Sequence, residues 1–221
     1  MPTAPENEFR DVAHLTPSVS RRWVNVSSGG HISAVTWGTG APALALLHRR
    51  PGQARDLDAV AIALDRPVAV LDLPGSGRSS GPAGSPRQTR MVLSEALWSF
   101  APRASVLAGI GDGGLAALAA LPRIRGDLPV LVLVDGLPDA GSAEEEQLRT
   151  AGTGVEVVRA VGGAVRDADV DRLLGLRPDT RVATLDVPAA ELETTGAEAL
   201  ARTLRDIADR AAATAASFPL P

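Results

Sequence analysis

Cysteine, lysine and tyrosine are all absent from the 221-residue chain. Without cysteine there is no disulfide framework, no thiolate nucleophile and no cysteine-ligated metal site. His14, His31 and His48 are the only three histidines. They are too few for a histidine-rich metal centre, so neither a metal nor a cofactor is expected. Arginine supplies all 22 basic residues against 26 acidic ones, and the formal charge of −4 comes with no basic block. That balance argues against a nucleic-acid partner. No run approaches the ~18–20 apolar residues of a membrane span. The polar start MPTAPENEFR is unlike a secretory leader. The expectation is a soluble cytoplasmic protein with no membrane partner, and the arginine, alanine and proline bias suits a GC-rich bacterial genome.

What is present organises itself simply. With 45% apolar residues the chain can bury one sizeable core. Residues 1–19 are polar and rich in proline, which predicts a flexible arm; residues 20–221 read as a single domain. Two short alternating runs, 22–26 and 32–37, flank Ser27-Ser28-Gly29-Gly30 and predict a hairpin. Continuous apolar runs follow at 43–47, 68–73, 106–110, 130–134, 155–161 and 182–187. Runs apolar on both faces suit strands of a buried parallel sheet. The stretches between them carry helical spacing over 54–65, 88–100, 113–121, 166–175 and 196–213. Trp98 and Phe100, near Leu93 and Leu97 in the second of these, are expected in the core. The fold class is α/β, a mostly parallel sheet of about eight strands, antiparallel at its first edge, with helices on both faces.

Three motifs carry a family resemblance. Leu46-Leu47-His48 followed by Pro51-Gly52 resembles the LLHG-x-PG turn of α/β-hydrolases. Leu71 to Ser79, LDLPGSGRS, resembles their D-x-PGHG-x-S loop. Ser105 to Leu115, SVLAGIGDGGL, resembles the strand, elbow and helix that read VVLVGHSMGGL in that superfamily. The resemblance spans nearly everything from Trp23 to Asp209 and implies a ligand crevice at the carboxyl ends of the strands.

The family's catalytic residues do not follow. Gly111 stands where the resemblance puts the nucleophilic serine, at an elbow whose strain projects the side chain. The loop after the last strand, Val187 to Glu193, holds no histidine, and none exists beyond His48. The acid's usual loop reads Gly162-Gly163-Ala164, and Asp167 and Asp169 only approximate its place. A serine acyl-enzyme needs all three groups within hydrogen-bond reach, so the chain reads as a truncated member without the triad. The insertion at 136–154 is a short cap, which leaves the rim open unless a second copy of the chain covers it.

The expected function is therefore a non-hydrolytic enzyme acting on a small molecule by cyclisation, isomerisation or elimination, in specialised biosynthesis. Asp112, at a helix start where the dipole favours its charge, is the base. Arg49 and Arg50 stabilise developing negative charge. Gly111, His48, Ser76 and Asp135 line the substrate crevice. Each has a blander reading: Asp112 as a first-turn aspartate, His48 as a tie for its turn, Ser76 as a turn residue, the arginines as surface charges. The alternative function is an inactive pseudoenzyme that binds a small molecule or a partner protein. A third is a hydrolase with a relocated set of catalytic groups.

Overall fold

A computed structural model of the chain describes residues 8–12, 18–80, 86–124, 128 and 130–217. His14 and most of the expected amino-terminal arm lie outside them. The hairpin is β1 (Val19–Asn25) and β2 (His31–Trp37), in register from Val19 opposite Trp37 to Asn25 opposite His31. Then come β3 (Leu44–Leu47), β4 (Val68–Leu71), β5 (Val106–Ile110), β6 (Val130–Val134), β7 (Gly154–Val161) and β8 (Arg181–Pro188). They form one eight-stranded sheet in the order β1-β2-β4-β3-β5-β6-β7-β8. Strand β2 pairs antiparallel with β1 and β4, and every later pairing is parallel. This is the architecture the apolar runs predict.

The central strands are short because each needs only to cross the core, and side-chain alternation shares them between two apolar layers. Leu44, Leu46, Val106, Ala108, Val132 and Val134 face one layer. Leu47, Leu107, Leu131 and Leu133 face the other. The first layer is closed by α1 (Asp58–Leu64) and α6 (Ala197–Ser217), through Val60, Leu64, Leu200 and Leu204. The second is closed by α2 (Pro86–Phe100) and α3 (Asp112–Ala120), through Leu93, Leu97 and Leu118. Each fully buried leucine contributes about 1.5–3 kcal/mol. Further along that face, α5 (Asp167–Leu176) adds Leu173.

Three features depart from expectation. First, 54–65 is a 3₁₀ turn, Ala54–Leu57, running into the short α1 rather than one helix. Second, Trp98 is 50% exposed while Phe100 is buried. Trp98 lies about 100° around the helix from Leu97, which is enough to turn it off the buried stripe. Third, the segment expected as a cap contains α4 (Ala143–Thr150), whose amino-terminal Ser142 side chain accepts from Glu145 N–H at 3.1 Å. Within the arm, Glu8 to Val12 packs on the sheet: Phe9 meets Trp37 edge-on at 6.3 Å, and the Arg55 guanidinium lies 5.1 Å from the Phe9 ring centre. Among the described residues no helix is long and apolar enough to cross a membrane.

Candidate functional site at the strand switch point

The chain leaves β3 toward β4 on one side and leaves β5 toward β6 on the other. The carboxyl ends of β3 and β5 therefore form the switch point where an open α/β sheet leaves a crevice. The turn His48-Arg49-Arg50 ends β3, and Gly111-Asp112 ends β5.

Gly111 has φ 52° and ψ −122°. This is the strained region that L side chains rarely enter, and glycine adopts it without the steric penalty. Its N–H donates to Val134 C=O at 2.8 Å. Gly136, just beyond β6, packs so closely that a Cβ there would lie 2.9 Å from Gly111 Cα. The strand-elbow-helix shape is thus kept with a glycine at its apex. A Cβ on Gly111 would meet only one side chain, Arg49, at 3.4 Å from its Cβ.

Arg49 crosses the elbow. Its Nε donates to Glu193 Oε1 at 3.0 Å and its Nη2 to Ala189 C=O at 3.2 Å. Both acceptors belong to the loop after β8, where the resemblance would put a histidine. Glu193 was not singled out by the sequence. Its position in that late loop was the available signal, but nothing local pairs it with a residue 144 positions earlier. Arg50 turns the other way and donates from Nη2 to Pro74 C=O at 2.9 Å. Asp112 is exposed at the first position of α3, where the helix leaves main-chain N–H groups unpaired and the dipole favours a negative charge.

The other expected crevice residues divide. Asp135 is buried at the end of β6 in a left-handed conformation, φ 48°. Its Oδ1 accepts from Ala164 N–H at 2.9 Å, so it reaches into the loop after β7 and stands beside the elbow through Gly136. Asp167 and Asp169 are occupied by Arg159 and Arg166 at the rim of α5. Ser76 is a turn residue: its N–H donates to Leu73 C=O and its carbonyl accepts from Ser79, both at 2.9 Å.

His48 does not line the crevice. It has no exposed surface; Nε2 accepts from Leu73 N–H at 3.0 Å, and Nδ1–H donates to Arg49 C=O at 2.7 Å. Burial holds its pKa below the ordinary value, against the opposing pull of the Arg49 carbonyl. With both nitrogens engaged it ties the β3 turn to the β4 loop and is closed to substrate. An open crevice of about 500 Å³ is lined by Asp11, Gln53, Arg55, Asp56, Asp58 and Glu193 among others, with no elbow residue in its wall. Among the described residues no group of three or more acidic or histidine side chains is arranged to hold a metal ion.

Against solved structures the whole architecture is matched. An esterase of Mycobacterium tuberculosis, Rv0045c, superposes with a TM-score of 0.76 over 93% of this chain and 100% of that one, at 20% identity. The chain has the α/β-hydrolase fold. The thioesterase domain of a curacin biosynthetic pathway follows with a TM-score of 0.72 over 85% of this chain and 99% of that one, at 15% identity. In sequence, the same mycobacterial esterase is 37% identical over 117 residues, an alignment that takes in 50% of this chain and 38% of that protein. The match thus spans about two fifths of the relative's length. No family model matches the chain.

These likenesses correct the functional expectation. A relative named an esterase, 37% identical over 117 residues, points to hydrolysis. That overturns the cyclase, isomerase or eliminating enzyme expected from the sequence, and the inactive pseudoenzyme with it. The expectation erred by treating the loss of the serine, histidine and acid of the triad as the loss of hydrolysis, although water itself can attack an ester when a base and charge stabilisation are in place.

Proposed function

We propose that the protein hydrolyses carboxylic esters by direct attack of water, without the serine and histidine of an acyl-enzyme route. The observation that carries this reading is the 37% identity to an esterase over 117 residues, on a fold that keeps the elbow but puts Gly111 at its apex. The absent side chain leaves room for water beside Asp112. The Asp112 carboxylate takes a proton from that water as its oxygen adds to the ester carbonyl carbon. The carbonyl oxygen becomes an oxyanion, which the Asp112 N–H, the amino end of α3 and the main chain at Arg50 stabilise. Collapse of the tetrahedral species breaks the bond to the alkoxide, which recovers the proton from Asp112. Asp135 maintains the elbow's surroundings through Ala164 and Gly136, and His48 maintains the Arg49 turn.

Steady-state hydrolysis of short-chain aryl esters tests the reading, with Asp112→Asn as the deciding variant. Turnover by the wild type that the variant loses supports it. No turnover above buffer, or equal turnover by both, overturns it.

A further inference from the structure

The Arg49–Glu193 pair carries an inference about what the site takes. Arg49 is anchored in the β3 turn and lies across the elbow, with its Cβ 3.4 Å from where a Gly111 Cβ would stand. Its guanidinium is not sealed in the core: the side chain is 32% exposed and that of Glu193 18%. Glu193 touches it through one N–H only, and Nη1 has no partner among the described residues. A planar guanidinium matches a carboxylate through two parallel N–H donors, so the single contact leaves most of its recognition capacity unused. Arg50, next in the turn, points the other way, to Pro74 C=O, and leaves this site to Arg49.

We propose that Arg49 is the docking point for a carboxylate on the substrate, and that Glu193 is an internal stand-in which this carboxylate displaces. Resting on the ester-hydrolase reading, this makes the substrate class a half-ester, a molecule with one free carboxylate and one ester group. The free carboxylate sits on Arg49 over the elbow, and the ester carbonyl reaches the Asp112 N–H. The crevice on the far side of Glu193 carries Asp11, Asp56 and Asp58 against Arg55. That face repels an anion, so the carboxylate enters from the elbow side, and released Glu193 turns out to solvent, since Arg55 is already held by Asp58 and Asp11.

The test uses succinate as a non-reacting probe and the monomethyl and dimethyl esters of succinate as substrates. Calorimetric titration of the full chain should show succinate binding that weakens as sodium chloride is raised. Glu193→Gln, which removes the competing charge but keeps the shape, should tighten that binding about tenfold, and Arg49→Gln should abolish it. The monomethyl ester should be preferred over the dimethyl ester by the wild type, and Arg49→Gln should erase the preference through KM. Thermal unfolding of each variant confirms that it folds, and the salt dependence needs no variant. Succinate binding that depends on Arg49 without ester turnover would retain this site and overturn only the hydrolase reading. Turnover of neutral esters with no succinate binding, or with binding unaffected by Glu193→Gln, would overturn the carboxylate site and leave hydrolysis standing.

Discussion

Arg21 Nη1 and Asp72 Oδ2 meet at 2.7 Å with 1% and 0% of their side chains exposed. Asp72 also accepts from Ala54 N–H at 2.6 Å and from Arg78 N–H at 3.0 Å, while Arg21 reaches Ser33 and Glu8. One buried carboxylate thereby joins the β1 edge, the turn before α1 and the loop after β4. The last two flank the His48-Arg49-Arg50 turn, so this pair supports the candidate site from beneath.

Asp72→Asn should therefore destabilise the fold by about 3 kcal/mol, because it leaves Arg21 buried with only Glu8 to balance it. Urea unfolding monitored by circular dichroism measures the loss. A change below about 0.5 kcal/mol would show that the pair is not the anchor its burial suggests.

Much of this fold is legible in the amino-acid order. Leu44 to Leu47 and Val106 to Ile110 are apolar on both faces because each strand lies between two helix layers, and that leaves a continuous run in the sequence. Strand β1 is mostly exposed because it forms the edge, whereas β2, between β1 and β4, is buried from Ile32 to Val35. The elbow is legible too, since Gly113 and Gly114 fix its register. What the order hides is where single side chains go. Trp98 is one step around a helix from the buried stripe. Leu148 is the only buried residue of α4, so that helix leaves almost no apolar signature. His48 looks available in the sequence and is sealed by Leu73 and Arg49. Arg49 and Glu193 meet with β4 to β8 lying between them in the chain.

Gly111→Ser tests the elbow. A side chain at φ 52° and ψ −122° carries strain of about 1–3 kcal/mol, with no severe clash, since Arg49 Cβ at 3.4 Å is in ordinary contact. Lower thermal stability is expected, and no burst of leaving group with an aryl ester, because no histidine stands in the late loop to activate the new hydroxyl. Burst acylation in stopped-flow traces would overturn this.

Asp58 gives a pH dependence. Burial pushes its pKa up to about 6, against the opposing pull of Arg55 at 2.7 Å, and its Oδ1 has no hydrogen-bond partner. A carboxyl whose pKa is higher folded than unfolded binds its proton more tightly in the folded state. Its contribution to stability is thus fully present below the unfolded value of about 3.9 and is lost as pH rises through about 6. Between pH 5 and 7.5 the wild type should lose stability relative to Asp58→Asn, by on the order of 1–2 kcal/mol. Parallel urea midpoints at the two pH values would contradict it.

Phe9→Ala probes the packing of the amino-terminal segment. Trp37 is 2% exposed, while Trp23 and Trp98 are 41% and 50% exposed, so Trp37 is the most shielded of the three indoles. Removing the ring that covers it should shift fluorescence to the red and cost about 2–3 kcal/mol, since Phe9 sits at the border of the core. An unchanged spectrum would mean that the segment is not docked in solution.

The most direct test of the whole account is hydrolysis of p-nitrophenyl butyrate by the wild-type chain beside Asp112→Asn, with unfolding curves to confirm that both fold. Turnover by the wild type, reduced about a hundredfold or more in the variant, is the predicted result. A folded wild type that releases no p-nitrophenol above buffer, or a variant that matches it, would contradict the claim that Asp112 activates water beside the glycine elbow.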